Sequence, residues 1–175
     1  MPIDVEATHL ADLRTRMGAI DPAELAAVWA GLDTVRPEEL LGSWRGGLFD
    51  TGHPFNRRTE ESRWYGKRFT SLDDARPDIC ITPEGRLYTS GGGGSLWMIE
   101  FRGEVTAALI YDDQPVLDHF KRVDETTVLG VMNRIIDRET DTWLYFWLDR
   151  EASPTGTCDS SHPPQPDGPV AVTLT

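Results

Sequence analysis

A lysine between aromatics (Tyr65-Gly66-Lys67-Arg68-Phe69), a tyrosine before an aspartate (Tyr111-Asp112), an aspartate before a histidine (Asp118-His119) and a histidine between glycine and proline (Gly52-His53-Pro54) are where this sequence can do chemistry. An imidazole or carboxyl enclosed by apolar walls titrates away from its ordinary range and becomes a general acid or base. Under strict strand alternation Lys67 shares a face with Tyr65 and Phe69. Enclosed there, it is a candidate for carbonyl capture as a Schiff base; exposed, it is an ordinary surface lysine. Asp118 and His119 are neighbours, so in a strand they point to opposite faces. Either His119 faces inward with Leu117 and Val123, or Asp118 does with Phe120. Tyr111 can orient a carbonyl or cap a strand end. His53 can serve as acid, base or ligand anchor in a rigid loop, or tie down a turn. His9, His53, His119 and His162 form no i, i+4 pair and have no cysteine at metal-binding spacing, so neither a metal nor another cofactor is expected. Gly91-Gly92-Gly93-Gly94 lacks a following Lys-Ser/Thr and precedes a strand, which makes it a portal or hairpin loop rather than a phosphate loop.

The elements that must position these groups change character near residue 42. Before it, Leu10, Leu13 and Met17 recur at helical spacing, and Asp21-Pro22-Ala23-Glu24 carries the cap and first-turn chemistry of a second helix. Leu25, Val28, Trp29 and Leu32 are the apolar stripe of that helix. Pro37-Glu38-Glu39-Leu40-Leu41 predicts a further short turn. After it the period is two, with strands expected over 43–49, 63–70, 78–82, 86–89, 96–101, 104–111, 116–123, 127–135 and 142–149. Short separators such as Pro83-Glu84-Gly85, Arg102-Gly103 and Asp124-Glu125 imply consecutive antiparallel pairing, as an up-and-down barrel or a sandwich. The barrel is preferred because closure removes the edges of a long meander. In the last strand Trp143, Tyr145 and Trp147 alternate with Leu144, Phe146 and Leu148. A strand apolar on both faces needs cover on both, which places the two or three N-terminal helices outside the barrel. The expected organisation is a helical segment over 1–41, a lipocalin-like (calycin-like), mainly β barrel over 42–150, and a Pro-rich tail over 151–175 in which 170–174 can add an edge strand.

Three motifs in order carry a family resemblance: Gly42-x-Trp44-x-Gly46, then Thr51-Gly52-His53-Pro54, then Arg63-Trp64-Tyr65-Gly66-Lys67-Arg68-Phe69. Together they resemble the GXWXG-motif protein family. Ile110-Tyr111-Asp112, Asp118-His119-Phe120, Val123-Asp124 and Leu129-Gly130-Val131-Met132 resemble the domain of unknown function that usually follows it. The resemblance spans roughly residues 36–150 and implies a shared fold and pocket rather than a reaction. Asn133 departs from it, standing where the pattern leads one to expect an acid.

Composition limits the partners. Twenty-nine acidic residues against 17 basic ones give a formal charge of -12, which disfavours nucleic acid and anionic membrane surfaces. The first six residues lack a basic stretch followed by an apolar run, and no stretch approaches a membrane span, so a cytoplasmic location is expected. Cys80 and Cys158 are not expected to form a disulfide framework. A homodimer is compatible with the sequence. The partner expected is a small lipophilic molecule in a cavity lined by Trp44, Trp64, Tyr65, Phe69, Trp97, Phe120 and Met132. Two functions follow: an enzyme working without a cofactor, in which His53, Lys67, Tyr111, Asp118 and His119 isomerise, hydrate, dehydrate or cleave an enal, enone or hydroxy-carbonyl; or a carrier that only holds its ligand. At least two of those five residues are expected to converge in one cavity.

Overall fold

The computed structural model describes residues 5–134 and 143–152. The chain opens with helices α1 (Val5–Thr15) and α2 (Pro22–Gly31), followed by the two-residue strand β1 (Asp33–Thr34) and a 3-10 turn at Pro37–Leu40. Asp21 caps α2 through its side chain, accepting the Ala23 N–H, with Pro22 at the first helical position. Then come β2 (Gly42–Leu48), α3 (Pro54–Glu61), β3 (Trp64–Ser71), β4 (Asp74–Ile81), β5 (Leu87–Thr89), β6 (Gly94–Phe101), β7 (Glu104–Tyr111), β8 (Val116–Arg122), β9 (Thr127–Arg134) and β10 (Leu144–Arg150).

Around the sheet the order is β2-β3-β4-β6-β7-β8-β9-β10, and β10 pairs back onto β2, so the antiparallel meander closes into an eight-stranded barrel. β5 is a short flap paired only with β4, and β1 adds to β8. The narrowest seam is β4–β6, joined by the single pair Ala75↔Gly94.

The two faces of the wall bury separate clusters. Inside lie Trp44, Phe69, Leu96, Leu109, Phe120, Leu144, Phe146 and Leu148. Outside, Leu10, Leu13, Leu25, Val28 and Trp29 pack with Leu129, Val131 and Tyr145, joined by Trp143 and Trp147. β10 is therefore covered on both faces, as its doubly apolar sequence requires. Met17 departs from the expected stripe: α1 ends at Thr15 and Met17 is 95% exposed. The rigid loop expected at His53 leads straight into helix α3, because His53 caps it and Pro54 occupies its first position. The tail, including the expected edge strand at 170–174, lies outside the described residues.

Two glycines explain the local geometry of the opening strands. A Cβ on Gly46 would stand 2.3 Å from the Trp64 ring, so the motif's last glycine is the seat of an aromatic from the next strand. At Gly66 a Cβ would stand 1.9 Å from the Trp44 carbonyl oxygen, which is backbone and cannot rotate away. Gly66 sits where the β3–β4 register shifts, between Trp64↔Cys80 and Gly66↔Ile79. This bulge carries Trp64 and Lys67 to the same face and turns Tyr65 outward.

Candidate functional site

A cavity of about 270 Å³ opens at the barrel end formed by the end of β2, the starts of β3, β8 and β10, and the end of β9. Its apolar wall includes Leu48, Phe55, Trp64, Val116, Met132, Leu144 and Phe146, and its polar groups include Lys67, Asp78, Cys80, Tyr111 and Asp118. From α3, Phe55, Arg58 and Thr59 line it; from the glycine-rich loop, Ser90 and Gly91. Its size is just below the usual range for small-molecule pockets, about 300–1,000 Å³. Edge-to-face contacts run from Trp64 to Phe146, Phe146 to Phe120 and Phe120 to Phe69, filling the middle of the barrel.

Lys67, Tyr111 and Asp118 meet in this cavity. Lys67 Nζ lies 2.8 Å from Asp118 Oδ2 and donates to Tyr111 Oη at 2.9 Å and to the Pro77 carbonyl at 3.4 Å. Tyr111 Oη in turn donates to Asp118 Oδ2 at 2.9 Å. Lys67 is 4% exposed and Asp118 1%. The ammonium also lies 5.1–5.4 Å from the ring centroids of Phe146, Trp64 and Tyr111. All three N–H donors of Lys67 thus have acceptors, which leaves it a positioned cation rather than a free amine, and the Schiff-base role expected of it has no support in this geometry. The Pro77 carbonyl sits at the register shift and takes both Lys67 and the Trp64 indole N–H, the latter at 3.0 Å.

The unused capacity is on the carboxyls. Asp118 Oδ1 is buried with no hydrogen-bond partner among the described residues. Burial raises Asp78 above the usual carboxylate range; the Lys67 charge opposes the rise, while Asp118 and Asp113 add to it. Burial, reinforced by the negative charges of Asp118 and Asp78, pushes the Tyr111 phenol well up, so it stays a donor. The Cys80 thiol is raised by burial and by Asp78, which makes it a poor nucleophile.

Other expected site residues lie elsewhere. His119 faces outward from β8, stacked on Phe101 with centroids 4.0 Å apart, and it is Asp118 and Phe120 that face inward. Both faces of this strand are buried, so hydrophobicity alone does not distinguish them. His53 is buried as the cap of α3, its Nδ1 accepting the Phe55 N–H at 3.1 Å, and it does not line the cavity. Tyr65 points away from the cavity and donates to Glu151 Oε1 at 2.5 Å, because the bulge breaks its alternation with Lys67. Trp97 is 55% exposed on the outside of β6, with its indole N–H on Ser95. Trp44 lines a separate hollow of about 380 Å³ at the opposite barrel end and donates to the Leu40 carbonyl. Phe69 and Phe120 fill the barrel's middle and do not line the cavity; Trp64 and Met132 do. Asp78, which no sequence motif singles out, shares a strand face with Cys80 two residues on, and both line the cavity.

Comparison with known proteins agrees with this architecture. Residues 27–85 match the model of the GXWXG protein family, and residues 92–150 match a domain of unknown function, DUF4334. A protein from Thermomonospora curvata, known as a crystal structure, is 36% identical, covers 84% of this chain and 99% of its own, and superposes with a TM-score of 0.76. No curated protein matches the chain. With that identity over the full length of a solved structure, and with both family models matched in order, the chain belongs to the GXWXG protein family, joined to the domain of unknown function that follows it.

Proposed function

We propose that the barrel binds a small lipophilic molecule and moves a proton on it without a cofactor, as an isomerase, hydratase/dehydratase or aldol-type lyase acting on an enal, enone or hydroxy-carbonyl. The observation that carries this reading is the Lys67–Tyr111–Asp118 cluster in a mostly apolar cavity, with one Asp118 oxygen left unpartnered. A buried unpaired carboxylate oxygen costs about 1–3 kcal/mol or more, a cost that an incoming O–H or acidic C–H offsets. Asp118 is then the base. Lys67 and Tyr111 fix its orientation and hold its second oxygen, so that the free one is presented to the ligand. The carrier reading has one observation in its favour: every Lys67 donor already has an acceptor, as in a structural network.

The experiment is hydrogen–deuterium exchange at the γ-carbon of straight-chain enones and the α-carbon of β-hydroxy-ketones in D2O, followed by proton NMR. The protein should accelerate exchange, and Asp118→Asn should reduce the acceleration by about 10²–10⁴-fold, the usual contribution of one general base. Binding, read as quenching of tryptophan fluorescence, without any exchange would instead establish a carrier.

A further inference from the structure

We propose that Asp78 is the second proton-transfer group of the cavity, working opposite Asp118, and that the pair catalyses the reversible loss of water from a neutral β-hydroxy-carbonyl compound. This rests on the proton-transfer reading above and narrows it to one reaction.

Two carboxyls from different strands, β4 and β8, line the same cavity in unlike surroundings. Asp118 is gripped by an ammonium and a phenol, with its other oxygen free. Asp78 lies beside the glycine-rich loop, where a Cβ on Gly91 would stand 3.2 Å from its Oδ2, and it has a raised pKa. Pairs of titratable groups whose environments push them apart are how one site runs acid and base chemistry together. Asp78, whose burial favours its protonated form, is the acid; Asp118, ion-paired through one oxygen and with the other unpartnered, is the base.

Hydroxide is a poor leaving group and needs a proton as it departs. The N–H donors of Lys67 and the hydrogen of Tyr111 are already committed to acceptors, which leaves Asp78 as the acidic group free to supply one. Asp118 Oδ1 takes the proton from the carbon next to the carbonyl. That C–H electron pair becomes the new C=C bond, and the C–O bond at the β-carbon breaks. The departing oxygen leaves as water with the proton from Asp78. Asp118 ends protonated and Asp78 ionised, and proton exchange with solvent through the cavity mouth restores both; the reverse sequence hydrates an enone.

Charge selects a neutral substrate. Asp78 and Asp118 line the cavity, and Asp113 is close enough to raise Asp78, against one ammonium whose donors are committed. A carboxylate or phosphate would meet that repulsion, and the other lining cation, Arg58, is an exposed residue of α3.

The test uses the full chain with β-hydroxy-ketones of roughly six to ten carbons, a length suited to a cavity just below the usual range. Enone absorbance reports water loss, and deuterium incorporation reports α-proton transfer. Asp78→Asn should slow water loss by about 100-fold or more, and by more than it slows α-exchange, and Asp118→Asn should lose both. In the wild type, water loss should fall as pH rises through the Asp78 titration while α-exchange does not. A native thermal melt for Asp78→Asn shows that the variant is folded. Water loss at the wild-type rate in Asp78→Asn, or wild-type exchange without any water loss, overturns the assignment of Asp78 and leaves the proton-transfer reading intact. Neither exchange nor water loss from any of the series overturns both.

Discussion

Asp118→Leu is expected to destabilise the barrel by about 3–5 kcal/mol, and the double variant Lys67→Met/Asp118→Leu to recover most of that loss. The ion pair is nearly inaccessible, with Lys67 4% and Asp118 1% exposed, and the ammonium is walled by Trp64, Tyr111 and Phe146. Removing the Asp118 carboxylate leaves the ammonium facing three rings, one phenolic oxygen and a distant carbonyl, with Asp78, which burial disfavours in its charged form, as the remaining carboxyl that feels its charge. Replacing both partners removes that cost and fills the space with apolar atoms. Urea unfolding of the wild type, both single variants and the double variant gives the coupling directly. Additive losses would show that the two residues do not depend on each other, and a single-variant cost below about 1 kcal/mol would place the pair in water. The cycle also bears on function. A pair whose removal leaves the fold intact is retained for something other than stability, and its position in the cavity supplies the reason.

Between pH 6.5 and 4 the protein is expected to lose about 3 kcal/mol of stability through His119 alone. Burial lowers the pKa of His119 from 6.5 to about 4; Asp118 opposes the shift and Arg102 adds to it. The unfolded chain therefore takes up a proton near pH 6.5 that the folded one refuses until about pH 4. The contribution is complete above 6.5 and disappears as pH falls through that window. His119 is 1% exposed, and neither ring nitrogen has a hydrogen-bond partner among the described residues. An imidazolium there would sit stacked on Phe101 beside the Arg102 cation, which lies 4.9 Å from that ring. His119→Phe keeps an aromatic against Phe101 and removes the titration, so its stability should be flatter across the same range. Equal pH slopes for wild type and variant, measured by urea unfolding at several pH values, would contradict this account.

The barrel was legible because alternation and turn residues are local. Residues 104–111 and 116–123 read as strands from their own pattern, and the doubly apolar β10 implied a helical outer layer. The orientation of Asp118 against His119 was not legible. Inward Phe120 and outward His119 and Lys121 are all buried, the last donating to the Trp29 carbonyl of α2, so one-residue alternation carries no inside–outside signal. Tyr65 was misplaced because a bulge adds a residue without changing composition. α3 was passed over because Gly52-His53-Pro54 serves equally as turn and as helix start; the run Phe55-Asn56-Arg57-Arg58 behind it was the available clue. Asp78 went unweighed because the strand was expected to begin there, whereas β4 starts at Asp74 and carries Asp78 in its interior.

The central claim, that the cavity beside Asp118 is a chamber for a neutral lipophilic molecule, is tested most directly by native mass spectrometry of the protein purified from its own source. Wild-type protein should carry a small neutral adduct, and Leu144→Trp, which fills the cavity, should arrive without it. Wild-type protein at its bare sequence mass, with no more adduct than the variant under the gentlest conditions, would mean that nothing is held there.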